Sequence, residues 1–226
     1  MGKSVVAKKP RKQILIFDMD GTLMDTSTDI TITINHVRKK NHNLEPLSSE
    51  EVVTMINGRN VNLAHAFYET QEYRETDREA FENHYWDQCV QNVEVYAGIR
   101  ELITSVKEDG HFVSVATNAP SIFARKMLKH VGLMKEFDYV FGACDVQKSK
   151  PDPEMINKVL RFYRYTPTAF IKPLMIGDSH KDIEAANAAE IDSLFVTWGF
   201  GKEGEVEAAQ IRNTKELMEI IIEREE

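Results

Sequence analysis

A short apolar run that ends in two aspartates constrains this chain more than any other feature. Residues 14–17 are Ile-Leu-Ile-Phe, and such a run is typical of a strand buried on both faces inside a parallel sheet. Asp18 and Asp20 follow at once. Side chains two residues apart on a strand point the same way, and ligands bind beyond the carboxyl ends of such strands. The sequence therefore predicts that both acids serve one site, although a solvated acidic turn would show the same pattern.

The residues around these acids favour a bound cation. Two ionised carboxylates held side by side repel each other, and a divalent cation with oxygen ligands removes that repulsion. Gly21 comes next, and it lets the backbone approach a ligand closely and turn away from the strand. Thr22 adds a hydroxyl to the same turn. We therefore expect a ligand-binding turn at residues 18–22.

Further along the chain, short apolar strands alternate with amphipathic helices. Strands are predicted at 112–116, 139–141, 174–176 and 193–197, and helical patterns lie between them and after the last one. Strands that are separated by helices of this length imply βαβ units and a parallel sheet. The predicted fold class is therefore α/β, with a Rossmann-like parallel sheet at its core.

Residues 25–92 break this alternation, because they show helical patterns and no convincing strand. We predict that they form an all-helical domain of about four helices. This domain would be inserted into a core domain made of residues 13–24 and 93–226. The hinges between the two are expected near residues 24–26 and 92–97.

Helix starts within the insertion are indicated by side chains that can cap a helix. Ser48 with Glu51, and Thr76 with Glu79, match the spacing of a capping box. In that motif the hydroxyl and the carboxylate each accept a hydrogen bond from the backbone of the other residue. We therefore predict helices that begin just after Ser48 and just after Thr76.

Composition and charge narrow the range of partners. The chain has 226 residues and a net charge of −8, so broad nucleic-acid binding is not expected. No apolar run is long enough to span a membrane. Cys89 and Cys144 lie far apart in the sequence, which argues against a disulfide framework and indicates a reducing compartment such as the cytoplasm.

The first twelve residues depart from this acidic balance. They carry five positive charges and no acidic residue. The basic residues are Lys3, Lys8, Lys9, Arg11 and Lys12. We expect a flexible, solubilising tail at residues 1–12, and an electrostatic arm for an anionic surface is the alternative.

Three further polar stretches suit the same site as the two aspartates. Thr117 and Asn118 end the second core strand, where a hydroxyl and backbone N–H groups could bind phosphate oxygens. Lys150 stands before Pro-Asp-Pro, and its point charge suits a phosphate and a developing negative charge. Asp178 follows a later strand, and Asp182 lies one helical turn beyond it. Each stretch alone also fits a turn, a surface lysine or a helix cap, but their combination is far more specific.

In this order, the four polar stretches resemble the motifs of the haloacid dehalogenase-like phosphohydrolases. The family pattern DxDxT matches residues 18–22, and the second-motif threonine matches Thr117. The third-motif lysine matches Lys150, and the fourth, acidic motif matches residues 177–182. A helical insertion after the first motif is similar to the type-I cap of that family. The resemblance covers nearly the whole chain after residue 12.

Three other stretches are similar to the phosphoglycolate phosphatase branch of the family. They are Tyr-Ala-Gly at 96–98, Lys-Pro-Asp-Pro at 150–153 and Thr-Trp-Gly-Phe-Gly at 197–201. Two residues depart from that branch, because Ala97 stands where proline is usual and Glu190 stands where glycine often ends the helix. Neither departure touches the predicted site.

The resemblance implies phosphoryl transfer through a covalent aspartyl-phosphate. Asp18 would be the nucleophile, and Asp20 would protonate the leaving alkoxide and then take a proton from the attacking water. Mg²⁺ would be bound by Asp18, by the backbone carbonyl of Asp20 and by Asp178. Asp182 would be a further ligand, or it would orient Lys150 or a metal-bound water.

The substrate contacts are expected to come from both parts of the chain. We predict that Lys150 is a catalytic residue that contacts the phosphate group. Four further residues are predicted to contact the same group: Gly21, Thr22, Thr117 and Asn118. Arg59, in a turn of the insertion, would reach the site and pair with a substrate carboxylate such as that of phosphoglycolate. A surface arginine in a turn is the alternative for this residue.

The function implied is hydrolysis of a small, phosphoglycolate-like phosphate monoester by a Mg²⁺-dependent phosphatase. A sugar phosphomutase of the β-phosphoglucomutase type is one alternative, and a non-catalytic domain that binds a partner or a phosphorylated metabolite is another. The expected partner is a small-molecule phosphate ester, with no nucleic acid and no membrane. We expect a monomer or weak homodimer in the cytoplasm.

Overall fold

A six-stranded sheet with helices on both faces forms the centre of the protein in a computed structural model, which describes residues 12–201 and 206–224. The strands are β1 (Ile14–Phe17), β2 (Met24–Asp25), β3 (Glu94–Val95), β4 (Phe112–Ala116), β5 (Tyr139–Phe141), β6 (Leu174–Gly177), β7 (Asp192–Val196) and β8 (Ala209–Ile211). The helices are α1 (Ser27–Val37), α2 (Ser49–Asn57), α3 (Leu63–Tyr68), α4 (Glu75–Gln88), α5 (Ile99–Glu108), α6 (Ser121–His130), α7 (Glu154–Phe162), α8 (His180–Ala188) and α9 (Thr214–Glu223). A π-helical turn (Arg38–His42) continues α1, and a 3₁₀ turn (Ala143–Asp145) follows β5.

Strand β1 lies in the middle of the sheet. The strand order is β5-β4-β1-β6-β7-β8, and every neighbouring pair is parallel. Register is fixed on both sides of β1, because Leu15 is level with Val113 of β4 and with Leu174 of β6. The prediction of an α/β fold with a Rossmann-like parallel sheet is therefore confirmed. As a consequence, the carboxyl ends of β4 and β6 flank the carboxyl end of β1.

The alternation of side chains along β1 divides the core into two layers. Leu15 and Phe17 belong to one buried cluster, which also receives side chains from α5, α6 and α9. Ile14 and Ile16 belong to a second cluster, together with side chains from α7 and α8. Helices therefore cover both faces of the sheet, which is the arrangement that an uninterrupted apolar strand requires.

The edge strand β8 was not predicted. It is three residues long, and Ile211 alone among them is buried. It pairs with β7 through Ile211 and Val196. A strand this short shows no periodicity that would distinguish it from a loop, and only its pairing with β7 defines it.

Helices α1–α4 occupy the predicted insertion and share a hydrophobic cluster of their own. The buried members of this cluster are Ile34, Val37, Val52, Phe67, Tyr68 and Ala80. A separate cluster is what a helical block needs in order to fold beside the sheet. The helical character predicted for residues 25–92 is confirmed from residue 27 to residue 88, and the division of the chain into two domains stays a prediction.

The two predicted capping boxes have different outcomes. Ser48 and Glu51 form one at the start of α2, where the Ser48 hydroxyl accepts from the Glu51 backbone and the Glu51 carboxylate accepts from the Ser48 backbone. The prediction that Thr76 caps a helix is wrong, because α4 already begins at Glu75. Its N-cap is Arg74, which makes no side-chain capping hydrogen bond. Acidic side chains in the first turn of α4 favour this start through the helix dipole.

Strands β2 and β3 join the helical insertion to the rest of the chain. They form a separate antiparallel pair, in which Met24 is opposite Val95 and Asp25 is opposite Glu94. Both regions predicted to be hinges therefore meet in one small ribbon. The insertion leaves and re-enters the core at adjacent points.

The basic tail predicted at residues 1–12 lies outside the described residues, with the exception of Lys12. The Lys12 ammonium donates to the backbone carbonyl of Asp109. Within the described part of the chain, none of the helices combines the length and the apolar character that a membrane span requires.

Candidate active site

Polar residues from three neighbouring strands meet in one cavity at the carboxyl edge of the sheet. Asp18 directly follows β1, Thr117 follows β4, and Asp178 follows β6. The cavity has a volume of about 500 Å³, and these three side chains line it together with Lys150 and Asp182. The strand order explains the meeting, because β4 and β6 are the two neighbours of β1.

Lys150 binds the carboxylates of Asp18 and Asp182. It is buried, and its ammonium donates to Asp18 Oδ1 at 2.8 Å, to Asp182 Oδ1 at 2.5 Å and to the carbonyl oxygen of Ala116 at 2.6 Å. Burial on its own would lower the pKa of Lys150, but the negative charges of Asp18 and Asp182 outweigh it and raise that pKa above its usual range. Lys150 is therefore a permanent positive charge beside Asp18.

Asn118 fixes the loop that carries this lysine. Its side-chain amide donates to the backbone carbonyl of Lys150 at 2.8 Å, and its side-chain oxygen accepts from the backbone N–H of Lys150 at 3.0 Å. Both ends of the Asn118 side chain are thus used within the protein. The Asn118 side chain therefore positions Lys150. A contact between the Asn118 backbone N–H and phosphate stays a prediction.

Asp20 accepts hydrogen bonds from two threonines. The hydroxyl of Thr26 donates to Oδ1 at 2.7 Å, and the hydroxyl of Thr117 donates to Oδ2 at 3.2 Å. Burial and then the nearby charge of Asp18 raise the pKa of Asp20 to about 6, although the two hydroxyls oppose this shift. Asp20 is therefore a carboxyl group that can both hold and release a proton near neutral pH.

Asp178 is held by a loop that the sequence reasoning did not connect with it. Its Oδ2 accepts from the backbone N–H groups of Phe200 at 2.6 Å and Gly201 at 3.2 Å, and its Oδ1 accepts from the Thr22 hydroxyl at 3.1 Å. Burial and then the charges of neighbouring aspartates raise the pKa of Asp178 well above its usual range. The sequence signal for this loop is the Gly-Phe-Gly run at 199–201, after β7.

Glycines make room for Asp178. Gly21 has φ +82°, and a Cβ added to it would lie 2.2 Å from Asp178 Oδ2. A Cβ on Gly199 would lie 2.0 Å from the carbonyl oxygen of Gly21 and 2.6 Å from Asp178 Oδ2. Gly21 and Thr22 were predicted to contact the substrate, but the structure packs both of them against Asp178. Their observed contacts therefore orient this carboxylate.

Asp18, Asp178 and Asp182 form a group of buried carboxylates that could bind a metal ion. One oxygen from each lies within 4.8 Å of the others. Lys150 pairs with two of these three acids, Asp18 and Asp182, so a cation with a preference for oxygen ligands fits the remaining negative charge. Asp182 already has both oxygens engaged, one by Lys150 and one by the backbone N–H of Ser179 at 3.1 Å. This contact pattern fits the role of orienting Lys150, which was one of its two predicted roles.

Arg59 does not join the other predicted residues. Its guanidinium pairs with Glu184 of α8 and is more than half exposed. It lines a second, smaller cavity of about 200 Å³, together with Pro151 and Lys181. The structure therefore places Arg59 in the lining of a neighbouring cavity, and its predicted contact with a substrate carboxylate stays a prediction.

The fold and the cavity are those of an α/β protein whose candidate ligand-binding residues lie at the carboxyl edge of a parallel sheet. The family model described as haloacid dehalogenase-like hydrolase matches residues 15–196, and the chain belongs to that family. The predicted resemblance of the four motifs to this family is therefore confirmed.

Two curated relatives and one solved structure show the extent of the similarity. An N-acetylmuramic acid 6-phosphate phosphatase from Pseudomonas aeruginosa is 30% identical over 196 residues, which cover 85% of this chain and 85% of the relative. A phosphoglycolate phosphatase from Colwellia psychrerythraea is 30% identical over 203 residues, which cover 85% of this chain and 88% of the relative. A crystal structure of a predicted phosphoglycolate phosphatase from Haemophilus somnus has a TM-score of 0.77 at 23% identity and covers 95% of this chain and 100% of that one.

Proposed function

We propose that this protein is a Mg²⁺-dependent phosphatase that hydrolyses a phosphorylated metabolite through an aspartyl-phosphate. The observation that carries the proposal is the position of Asp18, whose carboxylate lies in the cavity 2.8 Å from the buried ammonium of Lys150. Both curated relatives described above are named as phosphatases. Their names give different substrates, so the similarity supports the reaction and leaves the substrate open.

The proposed reaction has two steps, which share the same residues. In the first step a carboxylate oxygen of Asp18 forms a bond to phosphorus while the bond to the leaving alcohol breaks, and Asp20 gives its proton to the departing oxygen. In the second step Asp20 takes a proton from water, and the water oxygen displaces Asp18 from phosphorus. Phosphate is released, and both aspartates return to their starting protonation states.

The surrounding residues stabilise charge and fix positions in this scheme. Lys150 lies where it can attract the phosphoryl oxygens as negative charge develops on them. Thr117 and Thr26 orient the Asp20 carboxyl group through their hydroxyl groups. Asp182 keeps the Lys150 ammonium beside Asp18. Each of these contacts exists before substrate binds, so little reorganisation is needed during the reaction.

Mg²⁺ is part of the proposal because of the carboxylates that surround its expected position. Asp18, Asp178 and the backbone carbonyl of Asp20 would hold it. When bound, the ion supplies positive charge that reduces the repulsion between the Asp18 carboxylate and the phosphate group. Asp178 would be oriented for this task by the backbone N–H groups of Phe200 and Gly201 and by the Thr22 hydroxyl, which donate hydrogen bonds to its carboxylate oxygens.

Removing the metal is the direct test of this part of the proposal. Purified protein should release phosphate from 4-nitrophenyl phosphate in the presence of Mg²⁺, and EDTA should reduce the rate to background. Excess Mg²⁺ should restore the rate, because the ion neutralises the repulsion that otherwise opposes attack. A rate that stays at its Mg²⁺-supplemented value after dialysis against EDTA would exclude the metal assignment.

A sugar phosphomutase remains the second candidate, since it would use the same first step. The two are separated by the acceptor of the second step, which is water in a phosphatase and a sugar hydroxyl in a mutase. We expect free phosphate without an added bisphosphate activator. Phosphate release that occurs only together with isomerisation of a hexose phosphate would favour the mutase. A non-catalytic binding domain would show neither.

Substitution of Gly199 by alanine tests the support of Asp178. The added Cβ would lie 2.6 Å from Asp178 Oδ2, so the carboxylate or the loop must move. We expect kcat/KM for 4-nitrophenyl phosphate to fall about 10- to 100-fold and the Mg²⁺ concentration for half-maximal activity to rise, as is usual when a ligand loses its orienting contacts.

Gly132→Ala is the matched control for this variant. Gly132 has a positive φ of +77°, unlike Gly199, and a Cβ there would have nothing nearer than the Arg100 guanidinium at 4.0 Å. It should lower the melting temperature slightly because of backbone strain, and leave the Mg²⁺ dependence unchanged. An unaltered Mg²⁺ dependence in Gly199→Ala would contradict the proposed role of the loop.

A further inference from the structure

The cavity above the carboxylates is mostly apolar on the side of the helical insertion. Its floor is formed by the charged and hydroxyl groups described above, and its roof contains five aromatic side chains from the insertion. These are Phe67, Tyr68, Tyr73, Phe81 and Tyr85. A phosphate group fits the floor, so the alcohol part of a substrate must face the aromatic roof.

The rings of the roof form two packed groups, Phe67 with Tyr68 and Tyr73, and Phe81 with Tyr85. Tyr68 and Tyr73 meet edge to face with centroids 6.0 Å apart, and Phe81 and Tyr85 lie 5.1 Å apart. Tyr85 also meets Phe123 of α6 at 5.1 Å, which continues the apolar surface onto the core. Such a surface binds apolar and planar groups through burial and ring contacts.

The size of the cavity also favours a large alcohol. A volume of about 500 Å³ lies inside the range of about 300–1,000 Å³ that holds drug-sized ligands. A two-carbon acid such as glycolate would leave most of this space, and most of the aromatic roof, without contact. Unfilled apolar surface contributes nothing to affinity for the substrate.

The charges around the roof do not suit a second anionic group. The insertion contributes Asp77, Arg78 and Glu82 to the cavity lining, and the buried Asp77 carboxylate already pairs with His42 at 2.8 Å. Arg78 is exposed and lies 3.9 Å from Glu75, which already offers it a carboxylate. A carboxylate on the substrate would therefore meet aromatic rings, Glu82 and an arginine that already has a carboxylate nearby.

The two lysines that line the cavity are engaged by the protein itself. Lys150 contacts Asp18 and Asp182. Lys181 donates to the backbone carbonyl of Ile56 at 2.7 Å. Among the described residues that line this cavity, Lys150 has all three of its N–H donors engaged by the protein, and Lys181 has one of its three engaged.

We propose that the substrate is a phosphate monoester of a bulky alcohol with an apolar or aromatic face, and that Tyr73 is one of the residues that select it. This inference rests on the proposed phosphatase function and specifies its substrate class. Tyr73 is suited to the role because its ring packs against Tyr68 at the roof and 46% of its surface is still accessible.

The test compares esters whose leaving groups have similar basicity. Phosphate release is measured with Mg²⁺ for ethyl phosphate, 2-phenylethyl phosphate and phosphoglycolate, and 4-nitrophenyl phosphate reports general phosphatase activity. We expect kcat/KM for 2-phenylethyl phosphate to exceed that for each of the other two alkyl esters about tenfold or more, because a buried phenyl ring adds apolar contact. A ratio below ten for either comparison overturns the inference.

Two variants test whether the aromatic roof causes the preference for 2-phenylethyl phosphate over ethyl phosphate. Tyr73→Ala should reduce the ratio of 2-phenylethyl to ethyl phosphate about threefold or more. Phe162→Ala is the control, since Phe162 of α7 is exposed to a similar extent, 47%, and packs on Tyr139 and Tyr163 away from the cavity. It should keep the wild-type ratio. An unchanged ratio in Tyr73→Ala overturns the role of that residue.

Failure of the inference and failure of the proposed function give different results. If 4-nitrophenyl phosphate and all three alkyl esters are left intact, the phosphatase proposal fails and the substrate class fails with it. If 4-nitrophenyl phosphate is hydrolysed and phosphoglycolate is the best alkyl ester, the phosphatase proposal stands and the bulky substrate class is overturned.

Discussion

Asp18→Asn should abolish phosphate release from every ester while the protein stays folded. An amide is a far weaker nucleophile than a carboxylate, so the covalent step loses its attacking group. Removal of a nucleophile typically reduces kcat by several orders of magnitude, and we expect about 10⁴-fold or more here. The measurement is phosphate release with 4-nitrophenyl phosphate at saturating Mg²⁺.

The fold is expected to survive this substitution because Asp18 has both favourable and unfavourable contacts. The variant loses a charge that pairs with Lys150 at 2.8 Å, but Asp182 still binds the same ammonium. It also loses the repulsion that helps raise the pKa of Asp178. The melting temperature measured by circular dichroism should therefore change little.

Asp109→Asn is the control, because it makes the same aspartate-to-asparagine substitution at another position. Asp109 is exposed at the end of α5, so the same substitution there should leave turnover at the wild-type rate. Turnover of Asp18→Asn within tenfold of wild type would remove Asp18 from the role of nucleophile. Loss of secondary structure in the variant would be seen in the same circular dichroism spectra.

Lys150→Met should have the second-largest effect, and it should affect both activity and stability. The variant lacks the charge next to the transferring phosphoryl group, and removal of one such stabilising group typically costs about 10²–10³ in kcat. It also leaves Asp18 and Asp182 buried without their partner. Loss of one member of a buried ion pair costs about 3–5 kcal/mol in the free energy of unfolding, which urea denaturation of the metal-free protein would measure.

Lys148→Met is a close control, because Lys148 lies two residues away in the same loop and is exposed. Its backbone N–H contacts Glu154, and the substitution leaves that hydrogen bond in place. Activity and stability should both remain at wild-type values. If the two lysine variants behave alike, Lys150 has neither of the roles assigned to it.

The position of the site was predictable because local sequence and sheet geometry point to the same edge. Four apolar residues followed by Asp18 define a buried central strand, and parallel strands bring their carboxyl ends together. This reasoning placed Thr117 and Asp178 beside Asp18 correctly. Lys150 follows no strand directly, and its loop reaches the site through the Asn118 side chain. That contact was not visible in the sequence.

The parts that were missed depend on contacts between distant segments. The backbone N–H groups of Phe200 and Gly201 orient Asp178, and no side-chain pattern records which carboxylate a backbone group will meet. Arg59 was expected in the cavity because a turn with a cation is a natural substrate contact. In the structure the turn lies against α8, where Glu184 binds the guanidinium. Its direction is set by the packing of the insertion, which short-range patterns do not determine.

The short ribbon formed by β2 and β3 has a consequence for how this chain can vary. Because its two strands run side by side, the peptide that departs for the helices returns at almost the same place. A segment spliced in at such a point can change in length or be exchanged for another without shifting β1 or the aspartates that follow it. The residues that line the carboxyl edge of the sheet can therefore stay unchanged while the helices between β2 and β3 differ.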